Sequence, residues 1–265
     1  MTGYVSLDNA DLAIASLLIL ANALLSLALG LDLHRKFLLA SLRMVVQLSL
    51  MGLVLASLFA LRSPWWTSLA ALTMVGFAGY EASSRQDRKL RGWWTQGIGT
   101  GAVLMAASIV TIFALTTTLR PDPWYDPRYA IPLLGMVLGN TITGISLGLN
   151  GLLQGVVQRR VAVEAQLMLG ASRREALAPV VRQAMRQALM PILNTMSATG
   201  VVALPGMMTG QILGGVAPVE AVKYQILILF LIAGGTGLGA VSAVMLGGWR
   251  LFDGRQRLRL DRLRT

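Results

Sequence analysis

Ile98-Gly-Thr-Gly-Ala-Val-Leu-Met-Ala-Ala-Ser-Ile-Val-Thr-Ile-Phe-Ala-Leu-Thr-Thr-Thr-Leu119 runs 22 residues without a charged side chain. A bilayer core about 30 Å thick is crossed by roughly 20 helical residues rising about 1.5 Å each, so this stretch is long enough to span. Only helices and closed barrels satisfy their backbone hydrogen bonds in hydrocarbon, and the short alternating segments of a barrel are missing. Comparable runs occupy residues 12–31, 44–61, 65–82, 130–153, 190–216 and 225–248. The expected fold is therefore all-α, a polytopic membrane bundle of about seven transmembrane helices. Arg62-Ser63-Pro64 and the proline-rich stretch 120–127 supply the breaks between runs.

Composition agrees. Of the 265 residues, 55% are hydrophobic and only 13% charged, where a soluble domain carries about a quarter charged residues. So little charge cannot cover a wetted surface. The net charge of +11 does not indicate nucleic acid, because the basic residues lie between apolar runs and form no aromatic-interleaved face. With the spans above, all but Arg62, Arg120, Arg128 and Lys223 of the 23 Lys and Arg fall on one side of the bundle. The positive-inside rule then predicts an N-terminus outside, a C-terminus in the cytoplasm and a multi-pass protein of the inner (plasma) membrane. Trp65, Trp66, Trp93, Trp94, Trp124 and Trp249 sit near predicted span ends, as interfacial anchors do. The first run lacks a basic leader and reads as a retained span. With no cysteine and one histidine, His34, thiolate sites and a histidine metal cluster within one chain are excluded.

One cytoplasmic stretch differs from the other connections. Residues 158–190 are too long for a turn and too charged for lipid, and they read as a helical hairpin on the cytoplasmic face. Gly170 is placed to end its first helix with a positive φ. Ser172 and Glu175 have the spacing of a capping box and predict a new helix, in which Leu177, Val181, Ala184 and Ala188 recur on one side. Pro179 predicts a kink or interruption. Physics alone leaves two readings open, an amphipathic anchor on anionic headgroups and a docking element for a soluble partner.

Glu164-Ala-Gln-Leu-Met-Leu-Gly170-Ala-Ser172 resembles the Glu-Ala-Ala-x-x-x-Gly-Ala-Ser/Thr coupling motif of ATP-binding-cassette permeases, with Gln166 in place of the second alanine and Pro191 later than the usual Leu-Pro. Leu204-Pro-Gly-Met-Met-Thr-Gly-Gln211, the segment from Ala217 to Gln225 and Arg43-Met-Val-Val-Gln47 look like those of the FetB-type permeases, the UPF0014 group. That group includes bacterial iron-export and plant aluminium-tolerance permeases, and the resemblance covers nearly the whole chain. It implies a single permease domain over residues 1–265, with an ATPase-coupling segment at about 156–189 carried by Glu164, Ala165, Gly170, Ala171, Ser172 and Glu175. It also implies a homodimer of permeases, a separate cytoplasmic ATPase carrying ATP and Mg, and outward movement of a metal ion such as iron. This chain has no Walker A sequence, and no catalytic role or cofactor of its own is expected.

Polar residues inside spans are costly and line paths or packed interiors. Arg43, Gln47, Asn140, Thr143, Asn150, Asn194, Gln211, Met207 and Met208 are the expected path residues, and Pro205-Gly206 is expected to break the sixth span in mid-membrane. Glycine pairs four apart, such as Gly144 and Gly148, Gly151 and Gly155, and Gly235 and Gly239, predict close helix approach. The alternative cargo is a small metabolite such as a nucleotide sugar. The alternative mechanism is an ion-coupled secondary transporter, and an intramembrane enzyme is the third class weighed.

Overall fold

A computed structural model describes residues 8–264. The chain forms a nearly all-helical membrane protein: α1 (Asn9–Ala28), α2 (His34–Leu61), α3 (Pro64–Ser84), α4 (Trp94–Phe113), α5 (Pro127–Gln158), α6 (Arg160–Met168), α7 (Arg173–Ala198), α8 (Gly206–Leu213) and α9 (Pro218–Arg250). Two-residue strands β1 (Lys89–Leu90) and β2 (Leu263–Arg264) pair antiparallel. Among these, α1, α2, α4 with the wider turns that continue it to Leu119, α5 and α9 are long and apolar enough to cross a membrane. The expected third span is α3, 21 residues long. The expected sixth span is divided between the last turns of α7, from Met190 to Ala198, and the short α8.

Helix α5 is the axis of the core. Asp126 caps its start by accepting from the Arg128 N–H at 2.9 Å, and Pro127 takes the first position, where a missing N–H costs nothing. It packs against α3, α4, α7 and α9. The contacts are close because glycine sits where a side chain would collide. A Cβ at Gly144 would lie 2.6 Å from Thr236 Cγ2, and one at Gly155 would lie 2.8 Å from Val180 Cγ1. Gly148 faces Ala188, and Gly239 faces Thr141 and Ile145. The expected small-residue ridges therefore join α5 to α7 and α9, as membrane helices without a hydrophobic driving force between them require.

The α1–α2 hairpin behaves differently. Ala23 and Ser26 are the buried residues of α1, and Leu58 is that of α2. Leu18, Leu24, Leu48 and Leu53 all point away from the protein. A helix apolar all round with so little protein over it is a helix for lipid.

Two expectations about the second half change. The helix beginning at Ser172 does not lie on the surface as half of a hairpin, and Pro179 does not interrupt it. Helix α7 runs unbroken through Pro179 and Pro191 and enters the bundle, burying Leu177, Val180, Ala184, Ala188 and Ile192 against α5 and α9. Val180 holds the buried position rather than Val181, which is partly covered. That packing offsets the backbone bonds the two prolines remove.

Candidate functional site

The segment after α5 is built from strictly local chemistry. Arg159 ends α5 and begins α6, where the buried Val163 holds the short helix to the bundle. Glu164 pairs with Arg160 at 2.8 Å, one turn away and well exposed, so this ion pair adds little stability. The Leu169 N–H returns to the Ala165 carbonyl at 3.1 Å and the Ala171 N–H to the Gln166 carbonyl at 3.0 Å. Gly170, at φ +89°, makes that closure possible, since a left-handed residue without Cβ carries no strain. Ser172 then opens α7. Its N–H and hydroxyl donate to Glu175 Oε2, both at 2.8 Å, and its Oγ accepts from the Glu175 N–H at 3.4 Å. The Ser172 N–H first, and its hydroxyl second, hold the Glu175 carboxyl below the usual carboxylate range. Met168 and Leu169 stand out at 83% and 88% exposure. The turn thus presents an apolar tip on a charged surface.

Helix α7 runs from this tip to the next break in the chain, where Val201 and Val202 are exposed. Its 26 residues make a rod of about 39 Å at 1.5 Å per residue. It ends at Ala198 in a reversal where Gly200 takes φ +94° and its N–H donates to the Ala203 carbonyl at 2.9 Å. The break therefore occupies residues 199–205 and ends at the expected Pro205-Gly206 step, with Gly206 the first residue of α8. On α8, Met207, Met208 and Gln211 are half-buried, and Gln211 Oε1 is enclosed without a hydrogen-bond partner among the described residues. Asn194, on the last turns of α7, is exposed.

Asn140, Thr143 and Asn150 share one side of α5, three and seven residues apart, on a face where Asn140 is exposed and Thr143 and Asn150 are half-buried. Two residues missed in the sequence complete this stripe. The Asn150 and Gln154 side-chain amides both donate to Asp87 Oδ2 at 2.9 Å. Gln154 lies one turn beyond Asn150 and was within reach of the same periodicity. Asp87, in the α3–α4 connection among Arg85, Arg88 and Lys89, carried no local signal. Asp87 and Gln154 border a cleft of about 630 Å³ that Arg88, Gln158 and Arg264 also line. Arg43 and Gln47 are on α2, apart from the stripe. Arg43 donates to Glu81 Oε2 at 3.4 Å, and no side-chain hydrogen bond joins α2 to the α5 amides among the described residues. No group of three or more His, Cys, Asp or Glu is arranged to hold a metal among the described residues.

The family model described as "Uncharacterised protein family (UPF0014)" matches residues 9–252. The chain is 36% identical to UPF0014 membrane protein slr1647 of Synechocystis over 258 residues, covering 96% of this chain and 97% of that one. It is 32% identical to protein ALUMINUM SENSITIVE 3 of Arabidopsis thaliana over 234 residues, 88% and 84% of the two chains. It is 29% identical to the probable iron export permease protein FetB of Escherichia coli over 260 residues, 98% of each. No solved structure matches.

Proposed function

Given that the chain belongs to the UPF0014 family, we propose that it is the membrane subunit of an ATP-binding-cassette exporter, driven by a separate cytoplasmic ATPase that carries the ATP and Mg. The observation that carries this reading is the continuity of α7. A push at Gly170-Ala171-Ser172 meets a capped helix end and travels along one packed rod to the break at 199–205. Glu164, Ala165 and Glu175 shape the pushed surface. At the far end the half-buried Met207, Met208 and Gln211 follow the break, where backbone freed from helix pairing can bind or release cargo.

In this reading the whole chain is one permease domain of seven spans, with its N-terminus outside and its C-terminus cytoplasmic in the inner membrane. Two copies work with two ATPases, and the α5 stripe of Asn140, Thr143 and Asn150 lines the path between the copies. Polar amides on a lipid-facing helix are expensive, and a second copy with water between removes that cost. The cargo we propose is a metal ion, iron first, following the printed name of the Escherichia coli relative. The oxygen donors of this stripe and the thioethers of Met207 and Met208 are compatible ligands.

The test is Ala171→Glu. It should abolish both transport and recovery of the ATPase with the purified chain, while membrane insertion stays at the wild-type level. Transport by the unaltered chain on an ion gradient with no ATPase attached would defeat the reading. So would labelling of an Ala171→Cys variant from outside intact cells.

A further inference from the structure

The chain beyond α9 folds back over the cytoplasmic end and is fastened at two points. At the first, Leu90 of β1 pairs with Leu263 of β2, both buried, and the Arg91 N–H donates to the Arg262 carbonyl at 2.7 Å. The Arg262 guanidinium donates to the carbonyls of Arg250 and Phe252 at 2.7 and 2.9 Å, and Leu251 and Phe252 are buried beneath it. At the second, a tight loop accepts the N–H groups of Arg255 and Arg257 on Asp253 Oδ1, each at 2.9 Å. It turns Gln256 outward at φ +58°. Gln256 Oε1 accepts from the Arg173 N–H at 3.2 Å, one of the donors that the first turn of α7 leaves without an intrahelical partner. The tail thus ties the α3–α4 connection to the start of α7.

Between this loop and α6 lies a cleft of about 810 Å³, within the roughly 300–1,000 Å³ of clefts that hold ligands. Leu167, Met168 and Ala171 line the α6–α7 side with Glu164, and Arg255, Gln256, Arg257 and Leu258 line the tail side. Glu164 is paired with Arg160, whereas Arg255 makes no ion pair among the described residues.

We infer that the ATPase seats in this cleft between the α6–α7 turn and the C-terminal loop, inserting a segment with an apolar tip and a carboxylate that meets Arg255. The inference rests on the ATP-driven reading above and adds the tail as the second half of the socket. Charge complementarity selects the partner. The α6–α7 side is mainly apolar, and the unpaired charge on the tail side is the Arg255 cation. A planar bilayer surface cannot enter a cleft walled on two sides. The tail also gives the ATPase a second purchase, since movement of the loop reaches α4 through β2 and β1.

The chain has no cysteine, so single Arg255→Cys and Ala171→Cys variants of the full-length chain can each carry a photoactivatable maleimide in native membranes, with adducts identified by mass spectrometry. Both positions should cross-link the same ATP-binding-cassette subunit. Arg255→Glu should lower its co-purification at least tenfold and Arg255→Lys should restore it, at unchanged membrane levels, because only the backbone of residue 255 bonds within the loop. ATPase adducts from position 171 alone, with normal recovery in Arg255→Glu, overturn this inference and leave the ATP-driven reading standing. Lipid adducts alone from position 255 also overturn it. ATPase adducts from neither position overturn both.

Discussion

Ser172 and Glu175 satisfy one another across the first turn of α7: the Ser172 N–H donates to the Glu175 carboxylate at 2.8 Å, and the Glu175 N–H returns to the Ser172 hydroxyl at 3.4 Å. If α7 is the rod of the transporter, its working end must stay wound. Ser172→Ala removes the hydroxyl and should cost about 0.5–2 kcal/mol of local helix stability. Hydrogen exchange at the amides of residues 174–176 should rise accordingly, while Ser172→Asp should keep protection close to wild type. Equal exchange in Ser172→Ala and wild type would mean that the cap adds nothing.

The glycine contacts predict opposite outcomes at two sites one helix apart. A Cβ on Gly239 would lie 2.6 Å from Thr141 Cγ2 and 3.1 Å from Ile145 Cδ1. Both neighbours are β-branched and wholly buried, so neither has room to turn aside. Gly239→Ala should destabilise the α5–α9 contact by roughly 1–3 kcal/mol and lower the thermal midpoint in detergent. Gly139→Ala meets nothing within 4 Å and should leave the midpoint unchanged or raise it, since alanine favours helix over glycine by about 0.8–1 kcal/mol. Equal effects at the two sites would contradict the packing.

The features readable from sequence are those whose causes are local. Gly170 and the Ser-x-x-Glu spacing determine their own turn and cap without help from distant residues, and both occur where the pattern places them. The continuity of α7 was hidden, because Pro179 and Pro191 argue for breaks, while the apposition of Val180, Ala184 and Ala188 to the α5 glycines arises only in the folded bundle. Asp87 was missed for the same reason: its partners Asn150 and Gln154 are 63 and 67 residues away. The pairing of Leu90 with Leu263 closes a longer loop still, between two-residue strands that no alternation of polar and apolar residues announces.

Arg43 and Glu81 join α2 to α3 at 3.4 Å, and Glu81 also accepts from Arg85 at 3.2 Å. The pair ties the α1–α2 hairpin, which buries little against the core, to α3. A double-mutant cycle with Arg43→Gln and Glu81→Gln, read by thermal unfolding in detergent, should give a coupling at the lower end of roughly 0.5–3 kcal/mol, because Arg43 is 57% exposed. The double variant should be no less stable than the worse single. Strict additivity would show that the two side chains act independently.

The last prediction concerns acid and the C-terminal tail. Arg259 clamps Asp261 through two hydrogen bonds, Nε to Oδ1 and Nη2 to Oδ2, both 2.8 Å. The Arg259 side chain holds the Asp261 carboxyl at about 2, below its ordinary 3.8. A group whose folded value is depressed contributes its stability above the unfolded value and loses it as pH falls through the folded one. The clamp should therefore be intact from neutral pH down to roughly 4 and weaken between there and about 2. Spin labels on cysteines introduced at Gly254 and Ala171 should report a steady distance to roughly pH 4 and a broadening one below it. Asp253 is also held low, first by the Arg257 N–H and then by that of Arg255, and lies in the same loop, so the variant decides which carboxylate is responsible. Asp261→Asn should show the acid-side broadening already at neutral pH, and Asp253→Asn should loosen the loop without removing the Asp261 step. If Asp261→Asn leaves the distance and its pH course unchanged, the Arg259 clamp does not hold the tail in place.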